Sequence, residues 1–274
     1  MVLCAGYGTR LGDLTREIPK PMLRLGRRPM LEYILCHLGR HGFNQIGLNL
    51  HFMPEAIRGY FGDGPRWGLQ IEYSLEPQLL GTAGGTKKME SFLRQDDTRA
   101  PFLVHYGDVV TNQDFSSMLR FHHEKEALAT LLVHNRAKSN SVVSVAADGC
   151  IRRFLERPSE TERSSLTSSW VFSGIAICQP ELFDLVPANT PCDFPRDVFV
   201  PLAGDGRLFA FPLTGKRCAV DSPERLEEAR RGVAAGDFVA GRHRRLELCE
   251  SGSLVMGFPS LESGAWAEIP SHSL

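Results

Sequence analysis

The segment that most constrains this chain is residues 2–22, where an apolar strand runs directly into a glycine-rich loop. Gly6 and Gly8 allow the backbone to adopt φ > 0 and to approach a ligand closely. Successive amide groups in such a loop form a concavity that binds anions. Arg10 and Lys20 add two cations suited to phosphate, and a proline on each side of Lys20 fixes the place where its stem leaves the chain. The segment therefore predicts a phosphate-binding loop.

Two common phosphate loops do not match this segment. The dinucleotide fingerprint G-x-G-x-x-G needs a third glycine, but that position is Leu11, and no Gly-Lys-Ser/Thr of a P-loop follows. The pattern G-x-G-T-R-L…L-T…P-K-P-M instead resembles the signature of the sugar-1-phosphate nucleotidyltransferases. Gly12-Asp13 stand where this family usually has a proline, and the first strand begins about three residues late, so one interpretation places the native start codon upstream. The alternative is a glycine-rich turn beside two chance cations.

This resemblance implies roles for the loop residues. The family's loop holds a nucleoside triphosphate, and its lysine bridges the α-phosphate and the sugar phosphate. The residues of this chain that match the nucleotide-binding loop are Leu3, Ala5, Gly6, Gly8, Thr9 and Arg10. Lys20 matches the bridging lysine. The resemblance therefore implies that Arg10 and Lys20 are catalytic.

Composition limits the classes of partner. The chain has 274 residues, 31 Lys and Arg, and 32 Asp and Glu, with a formal charge of −1. A general nucleic-acid or membrane binder would carry a basic footprint, so we expect neither partner. The seven cysteines are scattered singly with no C-x-x-C pair, which is typical of reduced thiols in a cytoplasm. We also expect no membrane span and no signal peptide.

The order of elements predicts an α/β fold. After the loop, helical and strand patterns alternate up to residue 106, which is typical of a parallel sheet with crossover helices. A hairpin at Asp148-Gly149 then makes the sheet mixed. We expect a three-layer α/β/α domain around a mixed, mostly parallel sheet, which the resemblance identifies as the Rossmann-like nucleotidyltransferase fold. The domain covers residues 1–235, and residues 236–274 form a tail of unknown role.

The segment from Glu76 to Gly85, E-P-Q-L-L-G-T-A-G-G, is the second informative stretch. Its small residues would let a flat base lie against the backbone, whose amides could contact the base edge. It resembles the base-contacting segment of guanylyltransferase-like members of the family, which favours GTP. The implied nucleotide-binding residues are Glu76, Gly81, Thr82 and Ala83. An ordinary glycine-rich helix entry, or a thymidylyl- or uridylyl-specific enzyme, is the alternative.

A metal site is predicted where the apolar strand 102–106 delivers Gly107-Asp108. Ligands of parallel sheets bind beyond the carboxyl ends of the strands, and Mg²⁺ takes few protein carboxylates. The pair resembles the family's metal-binding Asn-Gly-Asp or Asp-Gly-Asp, with Tyr106 in place of the first residue. Asp108 is therefore implied as a catalytic metal ligand. The alternative is that it only caps the next turn.

The family's second metal ligand lies in a W-x-D-I-G-T-P-E segment, which residues 217–224 resemble. The acidic position is Ala219 in this chain, and Asp221 follows two residues later. Asp221 could replace the missing ligand or cap the following helix.

Sugar-phosphate binding is implied by the segment Phe154–Pro158, which resembles the family's F-x-E-K-P. There the Glu contacts sugar hydroxyls and the Lys contacts the sugar phosphate. Glu156 matches, and Arg157 replaces the lysine with a different geometry. The full implied set is Lys20, Gly149, Glu156, Arg157 and Gly174. The alternative for the segment is an exposed Glu-Arg pair that ends a strand.

Together the resemblances imply a nucleotidyltransferase that joins GTP to a mannose- or heptose-type sugar 1-phosphate and releases pyrophosphate, with Mg²⁺ as cofactor. We expect a cytoplasmic protein, and a homo-oligomer is open. A catalytically weak nucleotide-sugar sensor or regulatory subunit is one alternative, because of Ala219. A glycosyltransferase of similar architecture is another, but no Asp-x-Asp metal motif stands at a strand end.

Overall fold

The computed structural model describes residues 1–94, 100–136, 139–166, 168 and 170–240. Most of these residues belong to a large sheet with helices on both faces. The strands are β1 (Val2–Leu3), β2 (Arg24–Leu25), β3 (Arg28–Pro29), β4 (Gln45–Leu50), β5 (Gln70–Leu75), β6 (Phe102–Tyr106), β7 (Val109–Thr111), β8 (Ala129–Asn135), β9 (Ser141–Val145), β10 (Ile151–Glu156), β11 (Trp170–Cys178), β12 (Leu208–Pro212) and β13 (Arg217–Ala219). The α-helices are α1 (Met30–Arg40), α2 (Pro54–Phe61), α3 (Gly81–Lys87), α4 (Glu90–Leu93), α5 (Phe115–Glu124), α6 (Glu160–Ser164), α7 (Val200–Leu202) and α8 (Pro223–Ala234).

Nine strands form the large sheet, in the order β10-β9-β11-β6-β1-β4-β5, with β8 on the other edge of β11 and β12 beyond it. The pairs β1–β4, β1–β6, β4–β5 and β8–β12 are parallel. The pairs of β11 with β6, β8 and β9, and of β10 with β9, are antiparallel. Only β10 and β11 therefore run against the common direction in this described sheet, which confirms the mixed, mostly parallel sheet.

Alternate residues of the central strand β6 pack into different cores, which confirms the three layers. Leu103 belongs to one apolar cluster and Val104 to another. A strand buried on both faces has an almost continuous apolar sequence, as β6 has. The first cluster includes Leu31 and Leu35 of α1, and the second includes Phe183 and Phe199 from the late helical segments.

A small second sheet brings a late part of the chain to the end of β6. β13 pairs antiparallel with β7, which follows β6 after only two residues. Beyond the paired residues, the Val220 amide donates to the Asp108 carbonyl at 2.8 Å. The backbone around residue 221 is thereby held beside Asp108.

The predicted hairpin is present, with β9 and β10 joined through Asp148-Gly149. The 3₁₀ helix Thr9–Thr15 is an element that the glycine-rich pattern did not predict. At the other end, residues 236–240 continue to pack on the domain. Phe238 is buried against Gly232, and Arg40 donates to the Val239 carbonyl at 2.9 Å. The remaining tail, residues 241–274, lies outside the described residues.

None of the helices in the described part of the chain combines the length and the apolar character that a membrane span requires.

Three buried histidines, His37, His105 and His122, are held neutral by the fold. Burial is the main cause that lowers the pKa of His37 and His122 to about 4 and that of His105 to about 3, against an ordinary value of 6.5. Since the folded pKa is below the unfolded one, the unfolded chain binds more protons between the two values. The resulting stability is complete above about pH 6.5 and is lost as the pH falls below it.

We expect the free energy of unfolding to fall between pH 7.5 and pH 5, with His122 contributing about 2 kcal/mol of that fall. Denaturant unfolding of a His122→Gln variant at both pH values should show a fall smaller by that amount. His123→Gln, at the exposed neighbouring position, is the matched control and should behave as the parent chain. An identical fall in both variants would contradict the assignment.

Candidate active site

Two cavities meet beyond the carboxyl ends of β1, β4 and β6. The first, of about 330 Å³, is lined by nine of the ten residues predicted to bind nucleotide, namely Leu3, Ala5, Gly6, Gly8, Thr9, Arg10, Glu76, Gly81 and Thr82. The second, of about 920 Å³, contains Glu156, Arg157, Gly174 and Asp221 of the predicted set. Arg10, Thr82, Tyr106 and Asp108 line both cavities. The structure thus gathers most predicted residues into one two-part cleft.

Gly8 sets the geometry of the signature loop. Its φ is 70°, and its carbonyl accepts hydrogen bonds from the Leu11 amide and the Thr15 hydroxyl at 3.0 and 3.1 Å. A Cβ at this position would lie 3.0 Å from Cβ of Lys20. Glycine is therefore required both for the left-handed backbone and for the stem of Lys20 to pass beside the loop.

Lys20 and Asp108 form an ion pair at the junction of the two cavities. The Lys20 Nζ lies 2.5 Å from Asp108 Oδ2, and the two side chains are 13% and 30% exposed. Lys20 follows the signature loop and Asp108 follows β6, so the pair joins the two parts of the site that bear the predicted catalytic residues. The ion pair fixes the position of the Lys20 ammonium group, which is therefore a preorganised cation. The alternative that Asp108 only caps a turn does not account for its contact with Lys20.

Glu76 is buried and holds the second motif against the first strand. Its carboxylate accepts from Asn49 Nδ2 at 2.8 Å and from the Leu80 amide at 2.9 Å. The other atom of the Asn49 amide, Oδ1, accepts from the Cys4 amide at 2.8 Å. Asn49 was not predicted as a site residue, although it is a single amide near the end of an apolar strand. The Glu76–Asn49 contact fixes one wall of the first cavity.

The expectation that the amides of residues 82–84 are open to a base is wrong in this structure. The Thr82 amide donates to Asp193 Oδ1 at 3.0 Å, and the amides of Ala83 and Gly84 donate to the Cys192 carbonyl at 2.9 and 3.0 Å. Ala83 is fully buried and lines neither cavity. The small residues of this motif serve packing, since a Cβ at Gly84 would lie 2.6 Å from the Thr190 carbonyl oxygen.

Glu156 and Arg157, the residues predicted to bind a sugar phosphate, both line the second cavity. Burial is the main cause that raises the pKa of Glu156, and nearby Arg157 opposes it. Arg157 has a φ of 49°, and its Nε lies 3.6 Å from Glu156 Oε1 with its side chain 79% exposed. An exposed guanidinium at the mouth of a cavity is free to swing toward a bound phosphate.

Gly174 lies inside the second cavity at an irregularity in β11, where the register with β8 shifts. Its φ is 81°, and a Cβ there would lie 3.1 Å from Cγ of Tyr106. Gly149 is different, because it lies in the hairpin turn, where its carbonyl accepts from the Ala210 amide at 2.9 Å. Gly149 lines neither cavity, so its predicted contact with the sugar phosphate is wrong and its role is to form the turn.

Asp221 does not cap helix α8. The capping residue is Ser222, whose hydroxyl accepts from the Arg225 amide. Asp221 instead lines the second cavity, 3.9 Å from an Arg10 guanidinium nitrogen, while Ala219 ends β13. Among the described residues there is no group of three or more metal-ligating side chains. A metal here would therefore rely on Asp108, Asp221 and its substrates.

Several polar residues of the second cavity were not predicted. They are His134 in β8, Arg136 directly after it, Asp193 and Arg196 before and within the helical turn Phe194–Phe199, and Arg217 in β13. Tyr106 closes the inner wall, where its side chain hydrogen-bonds to Thr82, and burial raises its pKa. The positions of these residues depend on long-range pairing, so local sequence patterns carry no signal for them.

Gly85 provides a test of the Glu76 arrangement. A Cβ at this buried helical position would lie 2.4 Å from Glu76 Oε1 and 2.8 Å from Asn49 Nδ2. Gly85→Ala should therefore destabilise the fold by about 1–3 kcal/mol, as overpacking does. Gly59→Ala is the matched control, since Gly59 lies in α2 with open space around it and should gain up to about 1 kcal/mol. Equal stability of the two variants in chemical denaturation would contradict the tight packing.

Comparison with known proteins identifies the family of this chain. The family model described as nucleotidyl transferase matches residues 1–212. A UTP–glucose-1-phosphate uridylyltransferase of Synechocystis sp. is 36% identical over 223 residues, covering 76% of this chain and 56% of the relative. A mannose-1-phosphate guanyltransferase of Yarrowia lipolytica is 32% identical over 228 residues, covering 82% of this chain and 61% of the relative. This chain thus spans less than two thirds of the length of these relatives.

A solved structure of apo UDP-glucose pyrophosphorylase has the same fold, with a TM-score of 0.72 and 18% identity, covering 86% of this chain and 98% of that one. The match of the family model to most of the chain, and the two relatives above 30% identity, place it in one family. The chain belongs to the sugar-1-phosphate nucleotidyltransferase family.

Proposed function

We propose that the chain catalyses the transfer of a nucleotidyl group from a nucleoside triphosphate to a sugar 1-phosphate. One observation carries this proposal: two cavities meet at a junction that holds Arg10, Lys20 and Asp108. A nucleotide in the first cavity and a sugar in the second would bring their phosphates together at this junction. A nucleotide-sugar has the same arrangement, with a diphosphate between base and sugar.

The reaction joins groups that repel one another, so cations must offset their charge. An oxygen of the sugar phosphate attacks the α-phosphorus in line, a new P–O bond forms, and the bond to the leaving pyrophosphate breaks. Lys20 is placed to contact both phosphates at the junction, and the loop amides from Gly6 to Thr9 face the triphosphate. Positioning and electrostatic stabilisation supply the rate in such a transfer, without a covalent enzyme intermediate.

Magnesium fits the donors that the junction offers. Asp108 and Asp221 lie on backbones joined by the Val220–Asp108 hydrogen bond and both line the second cavity. Mg²⁺ uses one or two carboxylates together with phosphate oxygens, so a cluster of protein ligands is not required. When bound there, it would polarise the α-phosphate. Lys20 and Arg10, which now pair with these carboxylates, would then turn toward the phosphates.

Guanine is the base we favour, and a mannose- or heptose-type sugar is the acceptor. The support is the sequence of residues 76–85 and the guanyltransferase relative, whereas the uridylyltransferase relative supports the uridylyl alternative. The cysteines of the described residues are buried and none of them is in a disulfide there, which supports the cytoplasmic location that we propose. A homo-oligomer stays a prediction.

A panel of pyrophosphate-release assays tests the proposal. Among acceptors whose sugar carries no second charged group, we expect the highest turnover with GTP and mannose or heptose 1-phosphate in the presence of Mg²⁺, and less with UTP, dTTP or ATP. A preference for UTP or dTTP would overturn the assignment of the base and leave the reaction class standing. Absence of turnover with every pair, combined with tight nucleotide-sugar binding, would favour the regulatory alternative that Ala219 motivates.

Lys20→Ala should lower kcat by about 10² to 10³, the usual cost of removing a preorganised charge contact to a transition state. Lys88→Ala is the matched control, because Lys88 is exposed and contacts only the Leu75 carbonyl. Both variants should keep the parent far-UV circular dichroism. Parent-like kcat in Lys20→Ala at saturating substrates would contradict the role of Lys20.

Asp221→Asn and Ser222→Ala separate metal binding from helix capping. Asp221→Asn should raise the Mg²⁺ concentration for half-maximal rate, with the melting temperature of the free protein unchanged. Ser222→Ala should lower stability by about 1 kcal/mol through loss of the cap, with unchanged Mg²⁺ dependence. If Asp221→Asn leaves the Mg²⁺ dependence unchanged, Asp108 is the one carboxylate of the pair that binds the metal.

A further inference from the structure

The sugar end of the cleft contains a guanidinium for which the proposed reaction gives no role. Arg217, on β13, lines the second cavity, and its Nε donates to the Ser173 carbonyl at 3.0 Å. That bond fixes the direction of the side chain and leaves the two terminal nitrogens of the guanidinium for other partners. The ion pairs between described residues include no carboxylate within 4.0 Å of Arg217.

Four other cations of the cleft do have acidic partners. Lys20 pairs with Asp108, Arg10 lies 3.9 Å from Asp221, and Arg157 lies 3.6 Å from Glu156. Arg196 is paired with Asp197 through two hydrogen bonds. Arg217 therefore differs from the cations at the junction and at the mouth, since its charge is not offset by a described protein group at ion-pair distance.

The neighbours of Arg217 do not offset its charge, since Arg136 and Arg225 are also cations that act on it. His134 contacts Ser173, the residue that also binds Arg217, and its Nδ1 lies 2.9 Å from the Ser173 hydroxyl. Burial, then the charges of Arg217, Arg136 and Arg225, lower the pKa of His134 to about 3, so the ring is neutral at physiological pH. The same burial lowers the pKa of Arg217 to about 10, so its guanidinium stays charged there. Among acidic groups, Asp108 raises the pKa of Arg217 most, and Asp108 is already paired with Lys20.

A half-buried guanidinium without a carboxylate is costly unless a ligand supplies the anion. The phosphates of the transfer reaction meet at the junction, where Lys20 and Arg10 contact them under the proposed function. Arg217 is held instead by Ser173, next to Gly174, in the wall of the sugar cavity. Its charge is placed for a group carried by the sugar itself.

We propose that Arg217, with Arg136 at the rim, binds a second anionic group on the sugar, so that the acceptor is a sugar 1-phosphate that also bears a phosphate or a carboxylate. The inference rests on the proposed function, because it assumes that the second cavity holds the sugar. A guanidinium can bind either oxyanion through two parallel hydrogen bonds. Neutral hydroxyls would satisfy its donors but leave its charge without a counter-ion.

Calorimetric binding in the absence of nucleotide tests this inference directly. The probes are a hexose 1-phosphate, the corresponding hexuronic acid 1-phosphate and the hexose 1,6-bisphosphate, at physiological salt so that long-range attraction is screened. We expect one of the two doubly anionic sugars to bind about 10-fold or more tightly than the hexose 1-phosphate, the usual worth of a hydrogen-bonded charge contact. Which of the two binds better identifies phosphate or carboxylate as the natural group.

Substitutions assign the preference to Arg217. Arg217→Gln should abolish it, Arg217→Lys should keep part of it, and Arg136→Gln should weaken it. Arg152→Gln is the matched control, since Arg152 is exposed near the hairpin turn and lies outside the cleft. If Arg217→Gln does not fold, Arg217→Lys and Arg136→Gln still measure the effect without removing the half-buried charge.

Two outcomes of the binding experiments would overturn the inference. One is equal binding of all three sugars by the parent chain. The other is an equal loss of affinity for all three in Arg217→Gln, which would place Arg217 on the 1-phosphate. Pyrophosphate release with the neutral sugar as the best acceptor would keep the proposed function while rejecting this inference. If a doubly anionic sugar binds tightly through Arg217 but no triphosphate gives turnover with it, the inference stands and the proposed function is rejected.

Discussion

The parallel pairing of β1 with β4 on one side and β6 on the other is the constraint on which the site depends. It brings three strand ends to one edge, so that the signature loop, Asn49 and Gly107-Asp108 become neighbours. The ends are close enough that the Gly107 amide donates to the Leu3 carbonyl at 2.9 Å, and a Cβ at Gly107 would lie 2.5 Å from that oxygen. Glycine before Asp108 is thus a packing requirement of the central strands.

The cleft offsets much of its own charge in the absence of ligands. Lys20 pairs with Asp108 and Arg10 with Asp221, each joining a cation of the signature loop region to a carboxylate from a distant part of the chain. A chain with a formal charge of −1 thus concentrates cations at one site and places carboxylates beside them. Under the proposed function, a bound phosphate would take the place of a carboxylate beside Lys20 or Arg10. A metal ion would then take the place of that cation beside Asp108 or Asp221.

The sequence was informative where a local pattern carries its own physical reason. The strand and glycine loop at the start, the apolar strand before Asp108 and the Asp148-Gly149 hairpin were predictable, because each depends on neighbours in the chain. The roles of Ala83 and Gly84 were not, because their amides bond to Cys192, more than a hundred residues away. The sequence also did not predict that Ser222 caps helix α8. The cap was assigned to its neighbour Asp221 as one of two alternatives, and a difference of one residue decides between the two positions.

The sugar half of the cleft was the least predictable part, and the topology explains why. Its walls come from β8, β11, β13 and the segment around Asp193. These parts are distant in sequence, and they are neighbours because the antiparallel strand β11 lies between β6 and β8. The nucleotide half, in contrast, is made mostly by loops that directly follow β1 and β5. One consequence is that side chains such as Arg217 can change on the late strands without altering the central pairing that holds Lys20 against Asp108. Under the proposed function, different strands therefore hold the part of the cleft that positions the transferred phosphate and the part that contacts the sugar, and Arg217 belongs to the second part.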